Sequence, residues 1–410
     1  MQVAEKSGYA NVSDTRQRSP YASGKTGMSG VDELSGTLLK VARTSEEASS
    51  FVPDWEELVT NAVEPNVFYE PWTLLPAMDL LRKHDVQLLF IYGLSGEESG
   101  DRKLIGMFPV EYRKGYRGIP LPYVNLWRHA HCFLTTPLVR RGFEQAALAG
   151  FFGWLDGMGA GQFFRIELLR ADGPLGVHMQ SYLKRSDRTV YEADRFGRAL
   201  LEPADDAETY IRNALVRKRR KEINRLGNRL AETGTVELRV LGRDDEIDEW
   251  IDTFLQLEAS GWKGKAGTAF ASDPAQEEYF KTIMREAFRR NQLMMMMLTY
   301  EGRPIAAKVN FVRDGGAYAY KIAYDEEMGQ YSPGVLLEME HIKYFHGMDR
   351  LMWVDSCAKP DHVMIDRLWS NRREIVTLNI SRRRLAGDAL IAAEPVVKKI
   401  YKKLIRREQA

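Results

Sequence analysis

"YKIAYDEEMGQYSPGVLLEMEHIKYF", residues 320–345, runs from a strand through a polar loop into a helix, with nothing bulky at the junction. By the period-two rule Tyr318, Tyr320, Ile322 and Tyr324 share one face of the strand, and Ala319, Lys321 and Ala323 share the other. Beyond the loop, Val335, Met339, Ile342 and Phe345 recur at spacings of three and four, which predicts a helix with one core face. Its first turn falls at Ser332–Val335. The first N–H groups of a helix lack internal partners and sit at the positive end of its dipole, so a Gly-containing start admits an anion such as phosphate. The same residues also read as an ordinary Ser N-cap followed by Pro at the first helical position.

The strand closes a meander of "QLMMMMLTY" (292–300), "PIAAKVNFV" (304–312) and "AYAYKIAY" (317–324), joined by the turns "EGR" and "RDGG". If "RDGG" closes its hairpin symmetrically, Lys308 lies opposite Lys321 on the less bulky face. Like charges so placed destabilise a sheet unless a carboxylate or an anionic ligand lies between them. The alternative is a solvated face with both ammonium groups reaching into water, and both readings stay open. Asp355, in "LMWVDSC" (351–357), is the expected acid, because the strand–helix–strand crossover sets that strand beside the Lys321 strand.

Helices, a meander and a crossover recur in roughly the same order upstream. There the helices are "DWEELVTNAV", "PWTLLPAMDLLRKH" and "FEQAALAGFFGWLDGM", and the strands are "VQLLFIYGL", "KLIGMFPVEYR" and "FFRIELL". The expectation is a mixed α/β chain of two tandem units. Its boundaries are a disordered lead-in over 1–48, a first unit over 49–202, a second over 203–385 and a basic amphipathic helix over 386–410. With 410 residues, 44% hydrophobic, the chain is long enough for two cores. A net charge of +1 excludes a globally charged nucleic-acid or membrane binder, so any such role rests on local patches. No apolar run reaches membrane-spanning length and no signal-peptide core opens the chain, so a cytoplasmic protein is expected.

Four segments in order, "LEASGWKGKAGTAF", "GRPIAAKVNF", "YKIAYDEEMGQYSPGVLLEMEHI" and "VDSCAKPDHVMIDRLW", resemble the GNAT-superfamily acyltransferases of the CelD/BcsL type, relatives in fold of the FemAB transferases. The resemblance implies a tandem GNAT fold and an acyl-CoA or acetyl-CoA donor whose pyrophosphate is wrapped by Gln330, Tyr331, Ser332, Gly334 and Val335. The usual Gly-rich pattern is altered here, since "QYSPGV" carries Pro333 where the first Gly stands in the family. On the acceptor side the resemblance points to Trp262, Lys263, Asp325 and Trp369. Direct attack of an amine on a thioester needs positioning, a base and donors for the oxyanion, which accounts for the lack of a compact catalytic motif. The catalytic set expected is Asp355 or Glu258 as base, with Lys308 and Lys321 on the oxyanion or on an acidic group of the acceptor.

Other constellations carry less. Cys357 and His362 need not face each other, so a thiol hydrolase is not expected, and His341 and His346, five apart on a helix, do not share a face, so no metal site is expected. The basic run "VRKRRKEINR" (216–225) reads as a solvated helix face, or as the phosphate contact of an aminoacyl-tRNA-dependent transferase. In the final helix Val397, Ile400, Tyr401, Leu404 and Ile405 form a stripe beside basic residues, which suits packing on its own domain or weak contact with an anionic membrane. The acceptor is accordingly a small-molecule or lipid amine, with acyl carrier protein as the other carrier of the acyl group. A non-catalytic accessory role in polysaccharide secretion is the reading without chemistry.

Overall fold

The computed structural model describes residues 30–32, 36–94, 102–382 and 384–408, with side chains only from 36 to 396 within those ranges. In the first half the order is β1 (Thr37–Ala42), α1 (Val52–Asn61), α2 (Pro71–Leu80), β2 (Asp85–Leu94), β3 (Arg102–Arg113), β4 (Tyr123–Leu126), α3 (Glu144–Gly157), β5 (Phe163–Arg170), α4 (Pro174–Arg185) and β6 (Val190–Leu201). Two linking helices follow, α5 (Ala207–Ala214) and α6 (Arg217–Ala231). The order then repeats as β7 (Val236–Val240), α7 (Ile247–Ser260), α8 (Pro274–Arg289), β8 (Leu293–Tyr300), β9 (Arg303–Arg313), β10 (Gly316–Tyr324), α9 (Pro333–His346), β11 (Trp353–Asp355), a one-turn helix at Ile365–Leu368 and β12 (Asn371–Ser381). A last helix, α10 (Leu385–Glu408), closes the chain.

All these strands belong to one sheet in the order β1-β2-β3-β4-β5-β12-β6-β11-β10-β9-β8-β7, with Gly30–Asp32 extending the β1 edge and Leu138–Val139 pairing with β3. Each half contributes an antiparallel meander and then a parallel step, β4 to β5 and β10 to β11. The last strand of each half is exchanged: β12 pairs with β5 of the first half, and β6 pairs with β11 of the second. Between them β6 and β12 form an antiparallel ribbon from Val190↔Ile380 to Leu200↔Asn371. The boundary drawn from the sequence at 202/203 is therefore crossed by the sheet, and each half needs the other to complete its hydrogen-bond ladder.

The expectation of disorder over 1–48 is corrected in part. Residues 1–29 lie outside the described set, but β1 pairs with β2 from Leu38↔Tyr92 to Ala42↔Leu88. Six residues, "TLLKVA", between Ser- and Gly-rich flanks give too short a period-two signal to stand out. From the sequence, residues 203–230 read as one basic helix, but the structure divides them, because Leu215 and Val216 are extended between α5 and α6.

A hydrophobic core spans both halves, bringing Trp55, Phe68 and Trp127 against Phe254, Phe280, Tyr318 and Tyr320. α8 is aimed across that core by its N-terminus, where Asp273 accepts the Ala275 N–H and Pro274 opens the helix. α10 packs on β12 and β6 through buried Ile391 and Glu394. The stripe Val397, Ile400, Tyr401, Leu404 and Ile405 falls where side chains are outside the described set.

Candidate active site

The decisive local feature is a β-bulge. β9 and β10 pair as Lys308↔Ile322 and Val309↔Lys321, then as Asn310↔Ala319, so Tyr320 is an extra residue. The bulge flips the parity of everything after it. Lys321 and Ala323 join Tyr318 and Tyr320 on the face of the shared core, while Ile322 turns to α9 with its partner Lys308. The expected facing pair of lysines is thereby corrected, because the "RDGG" hairpin keeps its register for only four pairs, from Arg313↔Gly316 to Asn310↔Ala319. Period-two reading has no term for an inserted residue.

The same stretch is where the sheet opens. β11 pairs with β10 only over Gly316–Tyr318, so the β10 backbone from Ala319 onward has no strand on that side. Lys321, three residues past the last paired position, sits in an aromatic cage, with Nζ 4.8 Å from the Phe270 ring centroid, 5.4 Å from Phe133 and 5.7 Å from Tyr320. No carboxylate among the described residues forms an ion pair with it. Burial, followed by the neighbouring Lys263, pushes its ammonium down from 10.5 to about 8, against the opposing pull of Glu258. Tyr320 Oη is buried beside it with no hydrogen-bond partner among the described residues. His131 lies with its ring 4.5 Å from that of Phe270, and its Nε2 is 2.9 Å from Gln276 Oε1.

Glu258, at the end of α7, accepts from Lys263 Nζ at 2.8 Å and from the Phe270 N–H at 2.8 Å. Sequence reasoning thus brought Glu258, Lys263 and Lys321 to one place. It missed His131, Phe133 and Phe270, which come from an aperiodic loop of the first half and a one-turn helix of the second, where no pattern announces a partner.

The remaining candidates lie elsewhere. Lys308 is buried in an ion pair with Glu338 of α9, whose other oxygen takes His341 Nδ1 at 2.9 Å and the Trp369 indole N–H at 3.0 Å. Burial alone would raise the Glu338 carboxyl, yet Lys308 and His341 hold it down at about 2. Trp369, expected at the acceptor, is 1% exposed and is a wall of this core cluster. Asp355 does lie beside the Lys321 strand, paired with Tyr318, but its partners are Arg373 at 2.8 Å and Arg198 at 3.6 Å. Burial opposes its ionisation, and the two guanidinium groups overcome this and hold it below the ordinary carboxylate range. With no exposed surface and its charge held between Arg373 and Arg198, it is a structural partner closed to an acceptor amine, so the expected base role of Asp355 is corrected.

In the loop after β10, Asp325 accepts the Glu327 N–H and pairs with Arg303 at 3.0 Å, fastening the turn. Trp262 is 57% exposed, with its N–H on Glu326. Gln330 is exposed, Tyr331 and Val335 are half-buried, and Ser332 is left-handed with φ 53° and caps nothing by its side chain, so the expected Ser N-cap is also corrected. The N–H groups of Val335 and Leu336 both turn to the Ser332 carbonyl, and Pro333 has none, so Gly334 holds the remaining first-turn donor. A Cβ on Gly334 would stand 3.3 Å from the Tyr324 ring, which places α9 tight against the far end of β10.

Residues 217–360 match the family model described as an acetyltransferase (GNAT) domain, which covers the second half from α6 to just past β11. The second half thus carries a GNAT domain, and the first half repeats its order of elements within the same mixed sheet. Among solved structures FemX aligns over 84% of this chain and 98% of its own, with a TM-score of 0.53 at 9% identity. A conserved protein of unknown function from Bacteroides thetaiotaomicron aligns over 80% of this chain and 97% of its own, with a TM-score of 0.50 at 11% identity. A tandem GNAT protein from the clavulanic acid biosynthesis pathway covers 84% and 98%, with a TM-score of 0.42 at 11% identity. At such identities the likeness is one of fold. No curated protein matches the chain. No helix among the described residues is long and apolar enough to cross a membrane.

Proposed function

We propose that the protein is an N-acyltransferase of the CelD/BcsL type, moving an acyl group from an acyl-CoA thioester to an amine of an envelope polysaccharide or lipid building block. One observation carries the reading: a lysine with no carboxylate partner among the described residues, turned by a bulge into an aromatic cage where β10 and β11 part, inside a half that matches a GNAT acetyltransferase domain. An ammonium pushed down to about 8 is unprotonated in roughly a tenth of molecules at pH 7, which suits a general base.

In the proposed reaction the amine nitrogen attacks the thioester carbonyl, the C–N bond forms and the C–S bond breaks. The proton lost by the nitrogen passes to Lys321 Nζ, and the departing thiolate takes up a proton. The gap beyond Tyr318 is where the thioester reaches the face of Lys321, and the start of α9 at Gly334 lies beside the same end of β10 for the donor's phosphates. Glu258 is assigned to positioning, since it fixes Lys263 and the Phe270 backbone around the cage.

Titration of the purified protein with acetyl-CoA and longer acyl-CoAs by calorimetry, followed by thiol release in the presence of amines, tests the proposal. Saturable donor binding and amine-dependent release are expected. A protein that binds no acyl thioester is not this enzyme.

A further inference from the structure

A groove of about 860 Å³ runs between α5 and α6 on one side and α9 on the other, bordered by β7 and β8. Its floor is apolar, formed by Ile223, Leu230, Val236, Leu298, Leu336 and Met339. These residues pack in the clusters under α9, whereas Phe270 and Tyr320 of the cage belong to the shared core, so the groove is separate from the Lys321 site. The helices along it run antiparallel. A Cβ on Gly227 would stand 3.6 Å from Leu336 Cδ2, and the Arg229 guanidinium lies 6.0 Å from the Tyr331 ring centroid, so the end of α6 meets the start of α9. The Ala204 N–H donates to His346 Nε2 at 3.2 Å, which sets the approach to α5 at the far end of α9. The groove is polarised as a result. Arg217, Arg220, Lys221 and Lys343 stand toward one end, and Leu230, Val236 and Leu298 toward the other. From 217 to 230 the axis of α6 advances about 20 Å, the reach of an extended long acyl chain.

Two independent observations point to a ligand. The first is the charge at the cationic end. α6 opens with five consecutive cations, Arg217 to Lys221, at the positive end of its dipole, with no acidic residue in its first turn and no side-chain cap. None of the five forms an ion pair among the described residues, and the nearest acid on the helix, Glu222, is taken by Arg225 at 2.8 Å. Of the two acids on the groove wall, Glu340 is held by Lys343 at 2.7 Å, and Glu208 stands in the first turn of α5, where it complements that helix's own dipole. Cations so placed are destabilising unless an anion lies on them. The second is Gly227, which shares the stripe of Arg217, Arg220, Lys221 and Asn224 at spacings of three and four. Glycine inside a helix is unfavourable relative to alanine, yet a Cβ here would meet only Leu336, at ordinary contact distance. The protein's own packing does not require the glycine, and what it preserves is the depth of the groove.

We propose that this groove binds an anionic amphiphile with one long acyl chain, the chain lying over Ile223, Leu230, Leu298 and Leu336 and the head group held by Arg217, Arg220 and Lys221. The apolar floor selects a chain, and the unpaired cations gathered at one end select a head group with negative charge. The volume lies in the upper part of the range of about 300–1,000 Å³ of small-molecule sites, more than a phosphate or a small polar metabolite fills. The occupant is a ligand distinct from the donor and the acceptor of the proposed reaction, and its binding does not depend on acyl transfer.

The test is calorimetric titration of the full chain with myristoyl-lysophosphatidic acid below its micelle concentration, with glycerol 3-phosphate and myristoyl-lysophosphatidylcholine as separate arms. The parent is expected to bind the anionic lysolipid saturably, about tenfold more tightly than the zwitterionic one and at least about a hundredfold more tightly than glycerol 3-phosphate, with affinity falling as salt rises. Gly227→Leu, which fills the groove, is expected to weaken binding at least about tenfold while melting no lower than the parent. Arg217→Gln combined with Arg220→Gln is expected to weaken it roughly tenfold and to flatten its salt dependence. The double variant decides the matter alone if Gly227→Leu does not fold. Absence of saturable binding in the parent, glycerol 3-phosphate bound as tightly as the lysolipid, displacement of the lysolipid by acetyl-CoA, or equal affinity in parent and folded variants overturns the proposal. Sedimentation with phosphatidylglycerol vesicles separates the two sources of such a chain. A parent that binds vesicles more tightly than Gly227→Leu does draws the chain from a bilayer, and one that binds only the monomer draws it from solution. Either result supports the groove, whereas vesicle binding equal in parent and Gly227→Leu, with no monomer bound, overturns it.

Discussion

The two lysines that sequence reasoning set face to face should respond oppositely to the same substitution. Lys308→Met leaves Glu338 with the Trp369 indole and a neutral His341, in a position with no exposure. Removing one partner of a buried pair costs roughly 3–5 kcal/mol. The lower end applies at acid pH, because the His341 proton is held off first by burial and then by Lys308, and losing Lys308 lets His341 take over part of the countercharge. In Lys321→Met the charge removed is one that the folded state disfavours. A fall from 10.5 to about 8 corresponds to about 3 kcal/mol, and attraction to the cage rings offsets about 1 kcal/mol of that. The expected gain is about 2 kcal/mol at pH 7, or a few degrees of melting temperature. Because the folded pKa is depressed, the penalty is present in full below pH 8 and fades as the pH rises toward 10.5, so the gain should fade over that window. Thermal melts of parent and both variants at pH 6, 7, 8 and 10 measure all of this. A Lys308→Met protein that melts with the parent, or a Lys321→Met protein that melts below it at pH 7, refutes the reasoning.

Other outcomes follow from the same contacts. Asp355→Asn strands Arg198 and Arg373 in the core and should cost roughly 3 kcal/mol in a denaturant titration. Trp369→Phe deletes the indole donor to Glu338 and should cost about 1–2 kcal/mol, read by the same titration. Gly334→Asp puts a carboxylate at the start of α9 and a Cβ 3.3 Å from the Tyr324 ring, so acyl-CoA affinity by calorimetry should fall far more than stability. Glu70 is raised from 4.5 to about 7, by burial against the pull of Arg313 and the donors Trp72 and Gln292. The folded state therefore binds more protons there, and stability should fall as pH rises from 4.5 to 7, a slope that Glu70→Gln should flatten in melts across that range.

What was legible in the sequence is what periodicity encodes. The meander, the crossover helix at 333–346 and the repeated order of elements all follow from hydrophobic spacing, and the residues around 258–263 and 321 do meet. Four things were not legible, each for a physical reason. The bulge at Tyr320 adds one residue and reverses the face of all that follows, and no local composition marks it. The exchange of β6 and β12 pairs segments far apart in sequence, and nothing within either strand names its partner. Asp355 was placed beside the correct strand, but Arg198 and Arg373, which occupy it, stand on the two exchanged strands. The phosphate site at Gln330–Val335 was read from a helix start whose Ser332 turns out left-handed, with its carbonyl already holding two of the first N–H groups.

The account stands or falls on Lys321 as the base at the cage. Its most direct measurement is the rate of thiol release from acetyl-CoA with a panel of amines, for parent and Lys321→Met at saturating donor across pH 6–9. The account predicts amine-dependent release in the parent that rises with pH toward a plateau above about 8, and a folded variant that binds donor but releases thiol at least about a hundredfold more slowly. Equal release by parent and variant, with the same pH profile, contradicts it.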